Sequence, residues 1–194
     1  MRVHETEIPG VLLFEPVPHR DERGWFSRTF DARAARDAGV DPAAFVQDSQ
    51  SRTVRGALRG LHGRVGHGEA KLVRCSSGAL FDVVVDARPD SPTFGRHETF
   101  RLDDRDMLSV YIPRGCLHGF QALTEVADAC YRIDAEHDPA EDLAVRWDDP
   151  DLGIAWPLPV SVLSAKDRGA GRWRDLERLL RRASATAGSR AARR

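Results

Sequence analysis

The stretch Gly56-Ala-Leu-Arg59-Gly-Leu-His62-Gly-Arg64-Val-Gly-His67-Gly-Glu69-Ala-Lys71-Leu-Val-Arg-Cys75-Ser-Ser-Gly78 decides how the rest of the chain is read. It sets histidine, lysine and arginines between glycine-marked turns, just where an alternating pattern of strands begins. It therefore reads as a functional wall on a β scaffold. Alternation puts Ala57, Arg59 and Leu61 on one side and Leu58, Gly60 and His62 on the other. Arg59 and His62 share a face only if Gly60 marks a bulge. Lys71–Cys75 and Ala79–Asp86, joined by Ser76-Ser77-Gly78, predict a hairpin with Phe81, Val83 and Val85 on one face.

Downstream, residues 96–102, 107–112, 117–124 and 128–133 read as four more strands, separated by Asp103–Asp106, Pro113-Arg-Gly115 and a polar turn near Glu125. Upstream, Phe45–Val54 alternates imperfectly, and Asp31 is placed to cap a short alanine-rich helix that Gly39 ends near Ala38. Residues 3–17 are extended, with Pro9, Pro16 and Pro18 suited to an edge strand. Asp21-Glu-Arg-Gly24 is a polar turn leading to Phe26 and Phe30. Many short strands with little helix between them predict an all-β fold, an antiparallel β-sandwich of the jelly-roll type with short peripheral helices. Beyond Tyr131 the chain is loop-like until Trp173, Leu176, Leu179 and Leu180 mark one face of a short amphipathic helix over 173–182. The expected organisation is a single domain over 1–182, followed by a disordered basic tail over 183–194.

The 194 residues carry 29 basic and 30 acidic side chains, so no global field recruits nucleic acid or an anionic membrane. Cys75, Cys116 and Cys130 are odd in number and far apart, without a C-x-x-C pair, which fits a reducing cytoplasm. The amino terminus lacks the apolar core of a signal peptide, and no apolar run approaches the length of a spanning helix.

Gly56–Gly78 and Asp106–Ala122 together resemble the paired motifs of the cupin superfamily. The second motif stands as Pro113-Arg-Gly115-Cys-Leu-His118. The first reads His62-Gly-Arg64, with a guanidinium where a metal-binding member has its second histidine. A permanently charged arginine repels a cation, so no metal and no cofactor are expected. A pocket of histidine, lysine, arginine and tyrosine suits proton transfer on an anionic substrate.

A more specific resemblance follows from motifs taken in order. Asp21-Glu-Arg-Gly24, Gln47-Asp48-Ser49, Leu58-Arg-Gly-Leu-His62, Ala70-Lys-Leu-Val73, Phe81–Arg88, Ser91-Pro-Thr-Phe-Gly95, Ile112–Phe120, Trp147-Asp-Asp-Pro150 and Leu163-Ser-Ala-Lys166-Asp167 resemble the dTDP-4-dehydrorhamnose 3,5-epimerase family from about residue 3 to 168. The resemblance implies a nucleotide-sugar substrate, a 4-keto-6-deoxyhexose, epimerised at carbon 3, carbon 5 or both. It implies His62 as base, Asp167 as its orienting carboxylate and Tyr131 as proton donor. Lys71 and His118 would meet the enolate and sugar oxygens, and Arg23 and Arg59 the diphosphate. Phe26 and Gln47 would contact the thymine end, and Asp48, Ser49, His137, Asp142 and Lys166 complete the implied substrate-binding set. Family relatives also imply a homodimer that exchanges amino-terminal strands.

Five positions depart from the family pattern, namely Arg28, Ser49, Arg64, His137 and Asp142. All concern substrate contact more than proton transfer, so retained epimerase chemistry on an altered substrate is expected. Taken without the motifs, His62 reads as a hydrogen-bonded strand residue, Tyr131 as a core aromatic, and Lys71 with the arginines as a solvated face. A non-catalytic sugar-nucleotide-binding cupin and a metal-dependent cupin oxygenase are the alternative functions.

Overall fold

The computed structural model describes residues 1–191, with side chains described through residue 184. The chain begins with β1 (Arg2–Glu5) and β2 (Leu12–Glu15), a ribbon of β3 (His19–Asp21) and β4 (Gly24–Phe26), and helix α1 (Ala32–Asp37). Next come β5 (Gln47–Val54), β6 (Leu58–Arg64), β7 (Lys71–Ser77), β8 (Ala79–Asp86), β9 (His97–Asp103), β10 (Ser109–Ile112), β11 (Cys116–Ala122) and β12 (Val126–Ile133). The last elements are β13 (Asp142–Ala144), α2 (Ala165–Arg168) and α3 (Trp173–Ala191). Asp31 caps α1 as expected, its carboxylate accepting from the amides of Arg33 and Ala34.

The strands form two packed antiparallel sheets, ordered β1-β2-β10-β7-β12-β5 and β13-β6-β11-β8-β9. This is the expected all-β sandwich, with β1 at an edge. Period-two alternation explains its interior. Val73 and Cys75 of one sheet meet Leu80, Val84 and Phe120 of the other in the central core. On the outer face of the second sheet, Leu61, Val83, Val85 and Leu117 pack under Leu152, Trp173 and Leu176. On the outer face of the first, Phe14 and Leu72 pack under Ala35 and Val40.

Two expectations need correction. The segments β7 and β8 are not a hairpin, because they belong to different sheets. Gly78, at φ 77°, carries the chain across the sandwich edge, and its amide donates to the Asp104 carboxylate rather than across a hairpin ladder. The reason lies in β8, whose apolar residues on both faces require cover on both sides; between β11 and β9 it receives core on one face and α3 on the other. The second correction is at the carboxy terminus. Helix α3 does not stop at 182 but continues to Ala191, with Ala183, Ala185 and Ala187 favouring the helix against Ser184, Thr186 and Gly188. The segment expected as a disordered tail is therefore helical that far, and residues 192–194 lie outside the described residues.

The bulge at Gly60 is present. On β11 the partners of His62 and Arg59 are His118 and Phe120, a step of two residues facing a step of three on β6. Gly60 adopts φ 128°, and a Cβ there would stand 2.5 Å from Gly119 Cα and 2.9 Å from the His118 carbonyl oxygen. Only glycine fits this close approach, and the extra residue turns Arg59 and His62 toward the same space.

Candidate active site

At one end of the sandwich the inward positions change from large apolar to polar or small, and the sheets enclose a cleft of about 630 Å³. The second sheet supplies Arg59, His62, His118 and Phe120. The first supplies Ser49, Ser51 and Thr53 from β5, Lys71 from β7, and Tyr131 and Ile133 from β12. The residues from β5, β11 and β12 stand at spacing two, so the alternation that builds the core also builds most of the cleft, and the Gly60 bulge adds Arg59 beside His62. The loop over 162–164 and α2 close one side with Ser164, Lys166 and Asp167.

His62 Nε2 lies 2.5 Å from Asp167 Oδ1. Asp167 is 2% exposed, and its backbone amide donates to the Ser164 hydroxyl that caps α2, which fixes where the carboxylate points. With the carboxylate accepting from Nε2–H, the imidazole lone pair resides on Nδ1. Burial is the largest influence on His62 and holds it below the ordinary histidine value. Asp167 pulls it upward, and the charges of Lys71 and Lys166 push it down again. The ring is therefore neutral at neutral pH and can accept a proton.

Tyr131 stands on the opposite sheet. Burial pushes its phenol up to about 12, although the hydrogen bond with Ser51 and the charge of Arg59 work the other way. It keeps its proton across the neutral range and can donate it. Its hydroxyl is 2.8 Å from Ser51 Oγ. His118, cross-strand partner of His62, forms a second histidine–aspartate pair, with Nε2 2.7 Å from Asp82 Oδ2 and both residues buried. Lys71 Nζ lies 2.7 Å from Glu69 Oε1. Arg59 is held by Thr53 Oγ1 and the Arg52 carbonyl.

The cleft thus gathers His62, Tyr131, Asp167, Lys71, Arg59, His118, Ser49 and Lys166. It does not gather the other predicted residues. Arg23 and Phe26 sit on the exposed β3–β4 ribbon, Arg23 paired with Asp21 and Phe26 66% exposed. Gln47 lies at the start of edge strand β5, and Asp48 faces Arg132 from a separate small pocket. His137, on the loop before β13, bonds Arg64, and Asp142 bonds Lys166. Three residues of the site were missed or undervalued from sequence. Ser51 was legible as Ser49 plus two on a strand. Asp82 was legible as a carboxylate on the same β8 face as Leu80 and Val84. Glu69 was legible as a carboxylate two residues before Lys71. Among the described residues no cluster of three or more histidine, cysteine or acidic residues has the arrangement to hold a metal ion.

A cupin-type sandwich with a carboxylate-oriented neutral histidine on one wall and a protonated phenol on the other defines a general acid–base enzyme of the isomerase type. Residues 5–175 match the family model of dTDP-4-dehydrorhamnose 3,5-epimerase. The dTDP-4-dehydrorhamnose 3,5-epimerase of Pseudomonas aeruginosa is 40% identical over 91% of this chain and 98% of its own. The dTDP-4-dehydrorhamnose 3-epimerase of Streptomyces niveus is 40% identical over 88% of this chain and 83% of its own. The crystal structure of a dTDP-6-deoxy-D-glucose-3,5-epimerase from Legionella pneumophila in complex with dTDP-4-keto-L-rhamnose superposes with a TM-score of 0.83 at 37% identity, covering 88% of this chain and 92% of that one. The chain belongs to the dTDP-4-dehydrorhamnose 3,5-epimerase family.

Proposed function

We propose that the chain epimerises a dTDP-4-keto-6-deoxyhexose through an enolate, with His62 as base, Asp167 as its orienting carboxylate and Tyr131 as acid. The observation that carries this reading is that base and acid project from facing sheets into one cleft, as inversion at a carbon requires. The carbonyl at carbon 4 acidifies the hydrogens of its neighbours. His62 takes one of them, negative charge collects on the carbonyl oxygen, and Tyr131 returns a proton to the opposite face of the ring. Lys71 supplies positive charge and donors to that oxygen, with His118 beside it on the cleft wall. Arg59 suits the diphosphate, where a planar guanidinium matches phosphate oxygens. Incubation with dTDP-4-keto-6-deoxyglucose in deuterated water tests the reading: deuterium enters carbon 3, carbon 5 or both. A folded protein that binds the sugar nucleotide without any exchange is instead a binding protein.

The nucleotide end of the reading rests on a second copy of the chain. The β3–β4 ribbon carries Arg23 and Phe26 away from their own cleft and leaves Trp25 and Phe26 exposed, as fits strands that insert into a partner. In a homodimer these residues would complete the neighbouring site together with Gln47, Asp48, His137 and Asp142, and light scattering would report twice the chain mass. A reducing compartment suits Cys75, Cys116 and Cys130, all of which are free thiols. No described helix is long and apolar enough to cross a membrane.

A further inference from the structure

Two residues past His62, Arg64 stands at the end of β6 with its side chain only 5% exposed. A guanidinium so far from water is stable only among compensating partners. Its Nε lies 3.0 Å from Glu69 Oε2 and 3.6 Å from Asp142 Oδ1. Its terminal nitrogens donate to the Glu136 carbonyl at 2.7 Å and to His137 Nδ1 at 2.9 Å. Each of the two carboxylates also holds a lysine through its other oxygen. Glu69 Oε1 is 2.7 Å from Lys71 Nζ, and Asp142 Oδ2 is 2.7 Å from Lys166 Nζ. The groups therefore alternate in sign along Lys71, Glu69, Arg64, Asp142 and Lys166. Only the two terminal lysines reach the cleft wall.

This arrangement sets the charge balance around Lys71. Three cations share two carboxylates, so the chain of groups carries one net positive charge. Without Arg64 the carboxylates and lysines would pair one to one, and Glu69 would cancel the Lys71 ammonium on its own. We propose that Arg64 is a positioning residue for the reaction: by drawing Glu69 toward itself it fixes the Lys71 ammonium on the cleft wall and leaves its charge available to the developing oxyanion. The Asp142–Lys166 arm and the bonds to Glu136 and His137 anchor the guanidinium, so that its pull on Glu69 has a fixed direction. The inference rests on the epimerase reading for the identity of the oxyanion, but the link between Arg64 and Lys71 stands apart from it.

The test is a double-mutant cycle on the full chain, read as the rate of solvent deuterium entry into dTDP-4-keto-6-deoxyglucose. Arg64→Gln lowers kcat about tenfold, and Arg64→Lys, which keeps the charge but loses the fork, lowers it about threefold. Both losses shrink to less than about twofold when Lys71 is already methionine, because the residue through which Arg64 acts is gone. Circular dichroism and the thermal midpoint check the fold, and Arg64→Lys alone completes the cycle should Arg64→Gln fail to fold. Losses that persist in full in the Lys71→Met background, or a kcat for Arg64→Gln within twofold of wild type, overturn the proposal. A readout independent of turnover is the acetylation rate of Lys71 followed by peptide mass spectrometry. With Arg64→Gln the ammonium is held by Glu69 alone and acetylation slows several-fold; an unchanged rate overturns the proposal. A wild-type protein that exchanges no deuterium sinks the epimerase reading, and the acetylation comparison still decides this one.

Discussion

The cleft and the exposed β3–β4 ribbon are built in different ways. In the cleft, where proton transfer is proposed, the central groups are buried or half-buried and each is held by a partner: His62 by Asp167, Tyr131 by Ser51, His118 by Asp82 and Lys71 by Glu69. These residues come from strands inside the sandwich or from a capped turn packed against it. Where the nucleotide is proposed to bind, Arg23 and Phe26 project on an exposed two-stranded ribbon, and His137 sits on a loop tied down by Arg64. The proposed chemistry, which needs sub-ångström placement, thus rests on side chains fixed by the core ladder, whereas Arg23 and Phe26 stand on an exposed attachment. Of the five departures Arg28, Ser49, Arg64, His137 and Asp142, only Ser49 lines the cleft, and none replaces His62, Tyr131, Asp167 or Lys71.

The sharpest way to break this contrast is to disturb the cleft without changing its shape. Asp167→Asn removes the carboxylate that selects the His62 tautomer, and kcat should fall about 10²–10³-fold with KM little changed, measured by deuterium exchange. Next in size is Gly60→Ala. Its Cβ cannot fit against Gly119 and the backbone prefers negative φ, so the bulge must open. A loss of about 2–4 kcal/mol in chemical denaturation is expected, together with loss of activity, as Arg59 and His62 no longer share the cleft. On the ribbon, Arg23→Ala should raise KM about tenfold and leave kcat within about twofold, the signature of uniform binding loss. An equal fall in kcat would erase the distinction between the two regions.

The smallest effect is on the pH profile. Because burial holds His62 below the ordinary histidine value of about 6.5, the neutral base persists as pH falls, and activity is lost only below that value. The acid limb of kcat/KM should therefore lie below pH 6.5. Asp167→Asn removes the influence that pulls His62 upward, so in that variant the limb should move lower still.

Much of this was legible in the sequence because strands report their faces. The sandwich, the capped helix near Ala32 and the grouping of His62, Lys71, His118 and Tyr131 follow from alternation and from motif order. What alternation could not report was where the chain changes sheets. Ser76-Ser77-Gly78 has the composition of a hairpin turn, and only the two-sided apolar face of β8 shows that it must leave β7 for the centre of the other sheet. Nor can a single strand show its cross-sheet neighbours. Ser51 and Asp82 acquire meaning from Tyr131 and His118, which lie 80 and 36 residues away in the chain. The position of Arg64 two residues past His62 argues only against a metal, whereas in the fold it is the shared cation between two carboxylates.

The central claim is that base and acid act from opposite walls of one cleft, and separating exchange from inversion tests it most directly. In deuterated water, Tyr131→Phe should still exchange the hydrogen beside the carbonyl, because His62 can remove it and return deuterium on the same face, but should yield no inverted product. His62→Asn should show neither exchange nor inversion. Inverted sugar formed by Tyr131→Phe at the wild-type rate, or exchange that persists in His62→Asn, would contradict the account.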